Sequence, residues 1–492
     1  MNNKSFQDLV KGQYGRKIAY VNYSEVTEDN VVEIAAKGLT ILNWNRVAIK
    51  YLYDYYKGDQ PSLYRQKTVR DDINNPVVEN RAFEFVSFKN GQTYGEPVQC
   101  VSLRNDEKTN EAVDKLNSYN RNAGKLVADI ESGEFTSAVG QGYKAVQRTG
   151  RDLIPYRIIS LNPMNTVVVY SELTKEPLLS VQQLKDEKNE QYLLCFSDTT
   201  EYVIKNGALR VIETTPDGVK KTSRLHVFGG IPIVEYPNNA ARLSDIELVI
   251  SLLDAINETQ SNRVDSIAQL VQSFFKFVNC DIDKENFESM KQAGAIVVQS
   301  NAMNGANADV GLLTQELDQK GTQTAKGDLL EAAQDVLAIP NRQSNTGGDT
   351  AGAVQLRNGF DLARQRANLK DPFICDADKR LNKVALNIIR QTKGESECPI
   401  NELDYEVHII HSPTDNLLTK SEALEILLRC GIHPLVALKV TGLWADSEKV
   451  YLQSKDYLEI KQQYNIDTEI AKAGLTDQVK QAEDILNSQK VG

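Results

Sequence analysis

The residues of this chain whose types could do chemistry are its histidines, its cysteines and a few paired carboxylates. His408 and His411 stand at i, i+3, a spacing that suggests a metal pair. On a strand, however, that spacing puts the two rings on opposite faces, so both read as structural histidines. Asp281 with Asp283, and Asp376 with Asp378, form Asp-x-Asp pairs. Metal-assisted hydrolysis needs carboxylates converging from several elements, and these pairs read instead as solvated carboxylates of helix ends or loops. Cys100, Cys195, Cys280, Cys375, Cys398 and Cys430 include no C-x-x-C, so reduced, buried thiols are expected rather than a zinc site or a disulfide framework. Gly140-Gln141-Gly142 lacks the third glycine of a dinucleotide fingerprint. No G-x-x-x-x-G-K-[ST], H-E-x-x-H or G-x-S-x-G occurs. Hence no catalytic residue, metal ligand or cofactor is expected.

One loop and one charged stretch remain. The loop, Asn341 to Gly352, is longer than most helix connections. Arg342, Gln343, Ser344, Asn345 and Thr346 offer guanidinium, amide and hydroxyl donors, followed by Gly347, Gly348 and Asp349. Such donors can touch phosphates without reading bases; a flexible linker is the other reading. From Arg342 to Lys370, the cations Arg342, Arg357, Arg364, Arg366 and Lys370 outnumber Asp349 and Asp361. Contact with DNA and a solvated or inter-subunit salt-bridged face both remain open for this stretch. The net charge of −11 argues against wholesale coating of nucleic acid, which needs a basic surface to release counterions.

The elements that must position these groups are legible from hydrophobic period. Helices are expected over Asp29–Lys57, Val77–Thr93 and Asn110–Ser132. From about Ile154 to Tyr236 the period changes to two. Strand candidates are Thr166–Tyr170, Leu178–Gln183, Gln191–Phe196, Glu201–Ile204, Ala208–Glu213 and Lys221–His226, with turn signals at Lys205-Asn206-Gly207 and Pro216-Asp217-Gly218. An antiparallel sheet between helical blocks makes the class α+β. Leu243 to Val278 keeps one apolar face over some ten turns, a rod of roughly 50 Å. Its middle, Asn257 to Arg263, is polar nearly all round, so the helix should bridge solvent or pack beside copies of itself. Cys280–Gly321 contains strand-like Ala295–Gln299 and a Gly/Asn-rich loop. Thr322–Ile339 is a short helix stopped by Pro340. Ala353–Lys393 is a long helix that Pro372 kinks, or whose second piece Pro372 opens. Pro399–His411 is a strand, Thr419–Leu458 gives two or three short helices, and the stretch after Ile460 is polar. The chain has 492 residues, room for two to four domains. The start of the chain has no apolar signal core, and no run approaches a membrane span.

Several blocks resemble the portal proteins of long-tailed bacteriophages. Tyr55-Tyr56-Lys57-Gly58-Asp59-Gln60-Pro61 is similar to that family's early "Y-Y-x-G-x-x-P" segment. Asn75 to Pro97 resembles its next helix, and Leu161-Asn162-Pro163 the approach to its sheet. The strongest block runs from Gly230-Ile231-Pro232-Ile233-Val234-Glu235-Tyr236 through Asn238-Asn239 to Ser251-Leu252-Leu253-Asp254-Ala255-Ile256-Asn257 and Ser261. It resembles the family's "G-x-P-h-h-x-h-x-N" strand and its "L-h-D-A-Y-N-x-x-x-S" stem helix, with Ile256 where tyrosine is usual. Gly347 to Leu369 resembles the tunnel loop and the helix after it.

That resemblance implies a ring, typically of twelve subunits, at one capsid vertex. Residues 1–242 would be the wing, 243–279 and 322–340 the two stem helices and 280–321 the clip. Residues 341–352 would be the tunnel loop, 353–413 a long wing helix with a return strand, and 414–492 the crown and tail. Double-stranded DNA would pass Arg342 to Asp349. Asn301, Met303, Asn304, Asn307 and Asp309 of the clip would face the large terminase and later the neck adaptor protein. Leu253, Ile256, Arg263, Ile267 and Phe274 would make subunit contacts. Scaffold and major capsid proteins would be further partners, no membrane would be involved, and the ring would reside in the virion after assembly in the host bacterial cytoplasm. A head-tail connector or minor capsid protein without a DNA channel is the alternative.

Overall fold

The computed structural model of the chain describes residues 6–10, 14–68, 71–104, 106–214, 216–217, 219–271, 274–278, 288, 309–313, 319–340, 359–411, 417–444, 447–457 and 460. The N-terminal block is α1 (Phe6–Val10), β1 (Ala19–Val21) and α2 (Val31–Tyr56). Apolar residues at three- and four-residue spacing give α2 a continuous buried face. Its first half, with Ile34, Ala35 and Leu42, packs on a sheet through Val167, Val169 and Val181. Its second half, with Ile49, Leu52 and Tyr55, packs against Phe85, Ile250 and Leu253. One long helix thus ties a sheet to a helical layer. Gly38 allows the sheet to approach closely, since a Cβ there would lie 2.8 Å from a Val169 methyl.

The next helices differ from expectation at their ends. α3 spans Arg81–Tyr94 and starts four residues later than expected, because Asn80 caps it by accepting from Phe83 N. After β2 (Gln99–Ser102), the expected single helix is two: α4 (Glu107–Asn122) and α5 (Lys125–Val139). The break falls at Gly124, which takes φ +84, a conformation open to glycine without strain.

The strand region begins earlier than period two revealed. β3 (Gln141–Arg148) and β4 (Tyr156–Leu161) form a hairpin; then come β5 (Thr166–Ser171), β6 (Pro177–Lys185), β7 (Gln191–Phe196), β8 (Thr200–Lys205), β9 (Ala208–Leu209), β10 (Glu213–Thr214), β11 (Lys220–Lys221), β12 (Ser223–Leu225) and β13 (Ile233–Pro237). The larger sheet runs β1-β5-β6-β7-β8-β12 and a second runs β13-β3-β4. The expected antiparallel sheet carries one parallel addition, β1 beside β5. β3 escaped the sequence reading because Gln141 to Val146 are all buried. A strand covered on both faces shows no alternation.

The rest of the chain comprises α6 (Ile250–Val271), β14 (Phe274–Val278), β15 (Asp309–Leu313), α7 (Gln319–Leu337), α8 (Phe360–Asn368), α9 (Asp371–Lys393), β16 (Tyr405–His408), α10 (Leu417–Arg429) and α11 (Pro434–Thr441), with residues 447–457 helical after them. The expected 50 Å rod is corrected here. α6 has 22 residues, about 33 Å at helical rise. Leu243 to Val249 form its turn-like approach, and Phe274 to Val278 pair antiparallel with Asp309 to Leu313. Of the two arrangements open for Pro372, the observed one places it in the first turn of α9, where its missing N–H costs nothing. β16 pairs with β2, joining the far end of the chain to α3 and α4. The expected Ala295–Gln299 strand, the loop Asn341–Gly352 and the tail after Ile460 lie outside the described residues. Among those residues no helix is long and apolar enough to cross a membrane.

Candidate functional site

The polar middle of α6 finds its partners inside the chain. Asn257, Ser261 and Asp265 recur at i, i+4, i+8, on one side of the helix. Facing them is a strap made of the 3₁₀ turn Pro61–Tyr64 and the irregular segments 65–68 and 71–79. Asn257 Oδ1 accepts from Glu79 N at 2.9 Å, Ser261 Oγ from Val77 N at 2.8 Å, and Asp265 Oδ1 from Asn75 N at 2.7 Å. Buried backbone donors need such acceptors. Arg65 and Lys67 add ion pairs to Asp265. Burial alone would raise the Asp265 pKa, but Lys67, Asn75 and Arg65 outweigh it and hold the group below its ordinary value. Gln260 and Lys326 of α7 both reach Glu79. This polar stretch, expected to bridge solvent or to pack beside copies of itself, is within the chain a clasp between α6 and the strap.

The approach to α6 is held by a second arrangement, where α7 ends and α8 passes into α9. Ser137 donates to Asp245 at 2.7 Å, and Lys370 pairs with the same carboxylate at 2.9 Å. Burial would raise the Asp245 pKa, yet Lys370 and Lys89 keep it below its usual range. Lys89, pushed down to about 8 by burial, donates to Leu337 O, and Arg366 to Val336 O at 3.0 Å. Two cations thus cap the final carbonyls of α7, where the helix dipole favours them. The chain stops there in a Schellman turn, with Ile339 N on Gln334 O and Ala338 N on Asp335 O. Ala338 takes φ 52, a left-handed conformation that costs a non-glycine residue about 1 kcal/mol. Ala338→Gly is accordingly expected to raise stability by up to about 1 kcal/mol, measurable as a shift of the urea midpoint; a lower midpoint would contradict the strain. Both flanks of the segment between Pro340 and Gly359 are in this way pinned to the base of the α6–α7 pair.

The family profile described as "Phage portal protein, SPP1 Gp6-like" matches residues 41–414 of the chain. The chain belongs to the phage portal protein family. Among curated proteins none matches. Among solved structures the portal chain is similar to one titled "Neck of native GTA particle computed with C12 symmetry", at 12% identity over 74% of this chain and 90% of that one, with a TM-score of 0.40. It is similar also to "Neck of empty GTA particle computed with C6 symmetry", with the same identity and shares and a TM-score of 0.42. "Virion of native gene transfer agent (GTA) particle" shares 13% identity over 74% and 90%, with a TM-score of 0.39.

The structure separates the expected contact residues of this portal chain. Leu253 is 2% exposed and Ile256 is equally buried, both inside the chain's own core with Ala333 and Leu337. Their placement at a contact between subunits is corrected, because a side chain filled around by its own chain presents no surface to a neighbour. Arg263 donates to Gln319 and Gln323 of α7. Ile267 is 49% exposed, on the same side as exposed Val264. Phe274 belongs to β14 rather than to a stem helix. Asp309 opens β15, whereas Asn301, Met303, Asn304 and Asn307 lie outside the described residues. So do Arg342, Gln343, Ser344, Asn345, Thr346, Gly347, Gly348 and Asp349. Of the local cation excess, Arg366 and Lys370 are spent on the clamps just described, and Arg364 reaches Asp361 at 3.4 Å. Neither open alternative for this stretch, DNA contact or a solvated or inter-subunit face, anticipated those intrachain roles.

Two further corrections concern groups first read as bland. Asp378 is fully buried, not solvated. Lys125 Nζ lies 2.7 Å from Asp129 and 2.7 Å from Asp378, Lys144 binds both carboxylates, and Tyr236 OH donates to Asp378 at 2.6 Å. This neutral four-charge joint fastens α5, β3, β13 and α9. Burial would lift the Asp378 pKa, but Lys125 and Lys144 overcome it and set it well below the ordinary carboxylate range. Asp376, its Asp-x-Asp partner, is exposed beside Arg380. Cys430 is exposed, whereas Cys100, Cys195 and Cys398 are buried as expected. His411 meets Asp371 at 2.9 Å and Gln92 O at 3.2 Å, a structural role. Among the described residues no group of three His, Cys, Asp or Glu could hold a metal.

Proposed function

We propose that this portal chain is one subunit of a closed homo-oligomeric ring, of twelve copies, at a single vertex of a phage capsid. The ring is the conduit through which double-stranded DNA is packaged and later ejected. The observation that carries this reading is the family match over residues 41–414. The α6–α7 pair forms the stem and β14–β15 the root of a clip that docks large terminase and afterwards the neck adaptor. The N-terminal helices and both sheets form the wing, and α10 onwards the crown. Residues 341–352 form a tunnel loop, supported by the clamps that fix α7 and α8 on either side of it. Scaffold and major capsid proteins surround the ring in the assembling head. The ring is built in the host bacterial cytoplasm and remains in the virion.

The chain performs no catalysis in this reading. An overall charge of −11 repels phosphate weakly along the wall and lets DNA slide instead of sticking. Negative-stain microscopy with mass by light scattering tests the proposal. Rings of about a dozen 54.9 kDa chains around a DNA-wide hole are expected; a compact dimer without a channel would overturn it, and ATPase activity of the purified chain would remove its non-enzymatic part. Shortening Gln343–Gly352 is expected to impair packaging or retention of DNA while ring assembly stays intact. Loss of the ring would make that loop structural instead.

A further inference from the structure

Two surfaces of the N-terminal half have no partner among the described residues, and they are complementary. The first is the tip of the β3–β4 hairpin. Within ten residues it carries Arg148, Arg151 and Arg157, all exposed, with no ion pair to any described residue. Between them Leu153 stands 84% exposed. The tip is not loose chain: Thr149 N binds Pro155 O at 3.0 Å, and Ile158 N binds Ala123 O at 2.9 Å. That second bond anchors the hairpin at the α4–α5 junction. A rigid finger bearing three guanidinium groups around one leucine suits an acidic, apolar seat.

The second surface is such a seat. On α5 the buried residues face β3 and α3, and the opposite stripe is Val127, Ile130, Glu131 and Glu134 at helical spacing. Val127 is 61% exposed and Ile130 is also exposed. Phe83, exposed on α3, continues the stripe through its stacking on Tyr56, which lies beside Glu134. Neither glutamate has a cation among the described residues. Partial burial, with repulsion from Glu131 added to it, raises the pKa of Glu134. Apolar area and uncompensated charge together on an ordered helix face mark a contact surface.

We propose that the hairpin tip of one subunit docks on the α5 stripe of its ring neighbour, arginines on Glu131 and Glu134 and Leu153 against Val127 and Ile130. A closed ring needs two different, mutually complementary patches on each copy, and the chain supplies both. An exposed leucine at the tip favours this occupant over a DNA backbone, which offers leucine nothing. The inference rests on the ring reading above and identifies the wing contact within it.

The test uses two full-length variants. The tip variant carries Arg148→Glu, Arg151→Glu and Arg157→Glu; the stripe variant carries Glu131→Arg and Glu134→Arg. Alone, each sets like charges against like and is expected to lose rings by light scattering and microscopy, with wild-type circular dichroism. Mixed in equal amounts they are expected to regain rings, because every tip then meets a stripe of opposite sign. Recovery on mixing cannot come from two misfolded chains. Wild-type rings from either variant alone would overturn the contact, as would two folded variants that stay apart when mixed. Intact rings of the tip variant with weakened DNA binding would reassign the hairpin to nucleic acid. Absence of rings from the unaltered chain would instead defeat the ring reading itself.

Discussion

Asp378→Asn is expected to cost the folded chain about 3–5 kcal/mol, because it leaves Lys125 and Lys144 sharing one carboxylate in a site closed to water. The side chains of Lys144 and Asp378 are both fully enclosed, so no solvent relieves the surplus charge. Urea denaturation followed by tryptophan fluorescence gives the measurement; Asp376→Asn, at the exposed neighbour, should move the midpoint by less than about 0.5 kcal/mol. Equal effects at the two positions would show that the joint contributes little. The pH dependence has a definite sign. The Asp378 pKa is lowered in the folded chain, so its stabilisation is complete above the ordinary carboxylate pKa of about 4 and disappears as pH falls below that. Asp254 acts oppositely. Burial raises it to about 6, so between about pH 6 and 4 protonation favours the folded state. Wild type should therefore hold or gain stability down to about pH 4 and then lose it steeply, and Asp378→Asn should flatten the steep limb.

Sequence patterning exposed most elements with one solvated face. α2 and the strands from β5 to β8 fall close to their expected places, because half-burial writes its period into the chain. β3 did not show, since burial on both sides erases alternation. The limits of α6 did not show for a different reason: apolar residues continue at helical spacing from Leu243 through Val278, and only pairing with Asp309 to Leu313 reveals that the last five are strand. The family and the polar positions of α6 were legible, but the partners of those positions were not. Asn257, Ser261 and Asp265 could bind a strap of the same chain or a second copy equally well by type and spacing. The strap carried a usable signal: between Gln60 and Glu79 there is little apolar periodicity, so its backbone donors required side-chain acceptors from elsewhere. Asp378 was hidden in the same way. A carboxylate becomes a core residue only when cations distant in sequence, here Lys125 and Lys144, converge on it.

Leu253→Asp and Ile267→Asp, two charges introduced into the same helix, are expected to have opposite consequences. Leu253 packs among Ile49, Leu52 and Ala333, and its replacement forfeits buried apolar surface while placing a carboxylate in a site without donors. The combined cost of about 4–5 kcal/mol should unfold the subunit or leave it insoluble, a failure of the chain and not of its assembly. Ile267 is half exposed, and Asp there should change the subunit's own stability by less than about 0.5 kcal/mol. If the outer face of α6 meets a neighbouring stem, the same substitution should still abolish or greatly weaken rings, giving a folded, soluble species of single-chain mass. Circular dichroism melting and light scattering on both variants separate the two effects. A folded Leu253→Asp monomer would contradict its core placement. Ile267→Asp rings as stable as wild type would remove that face from the contact and leave α7, or the wing, to hold the stems in register.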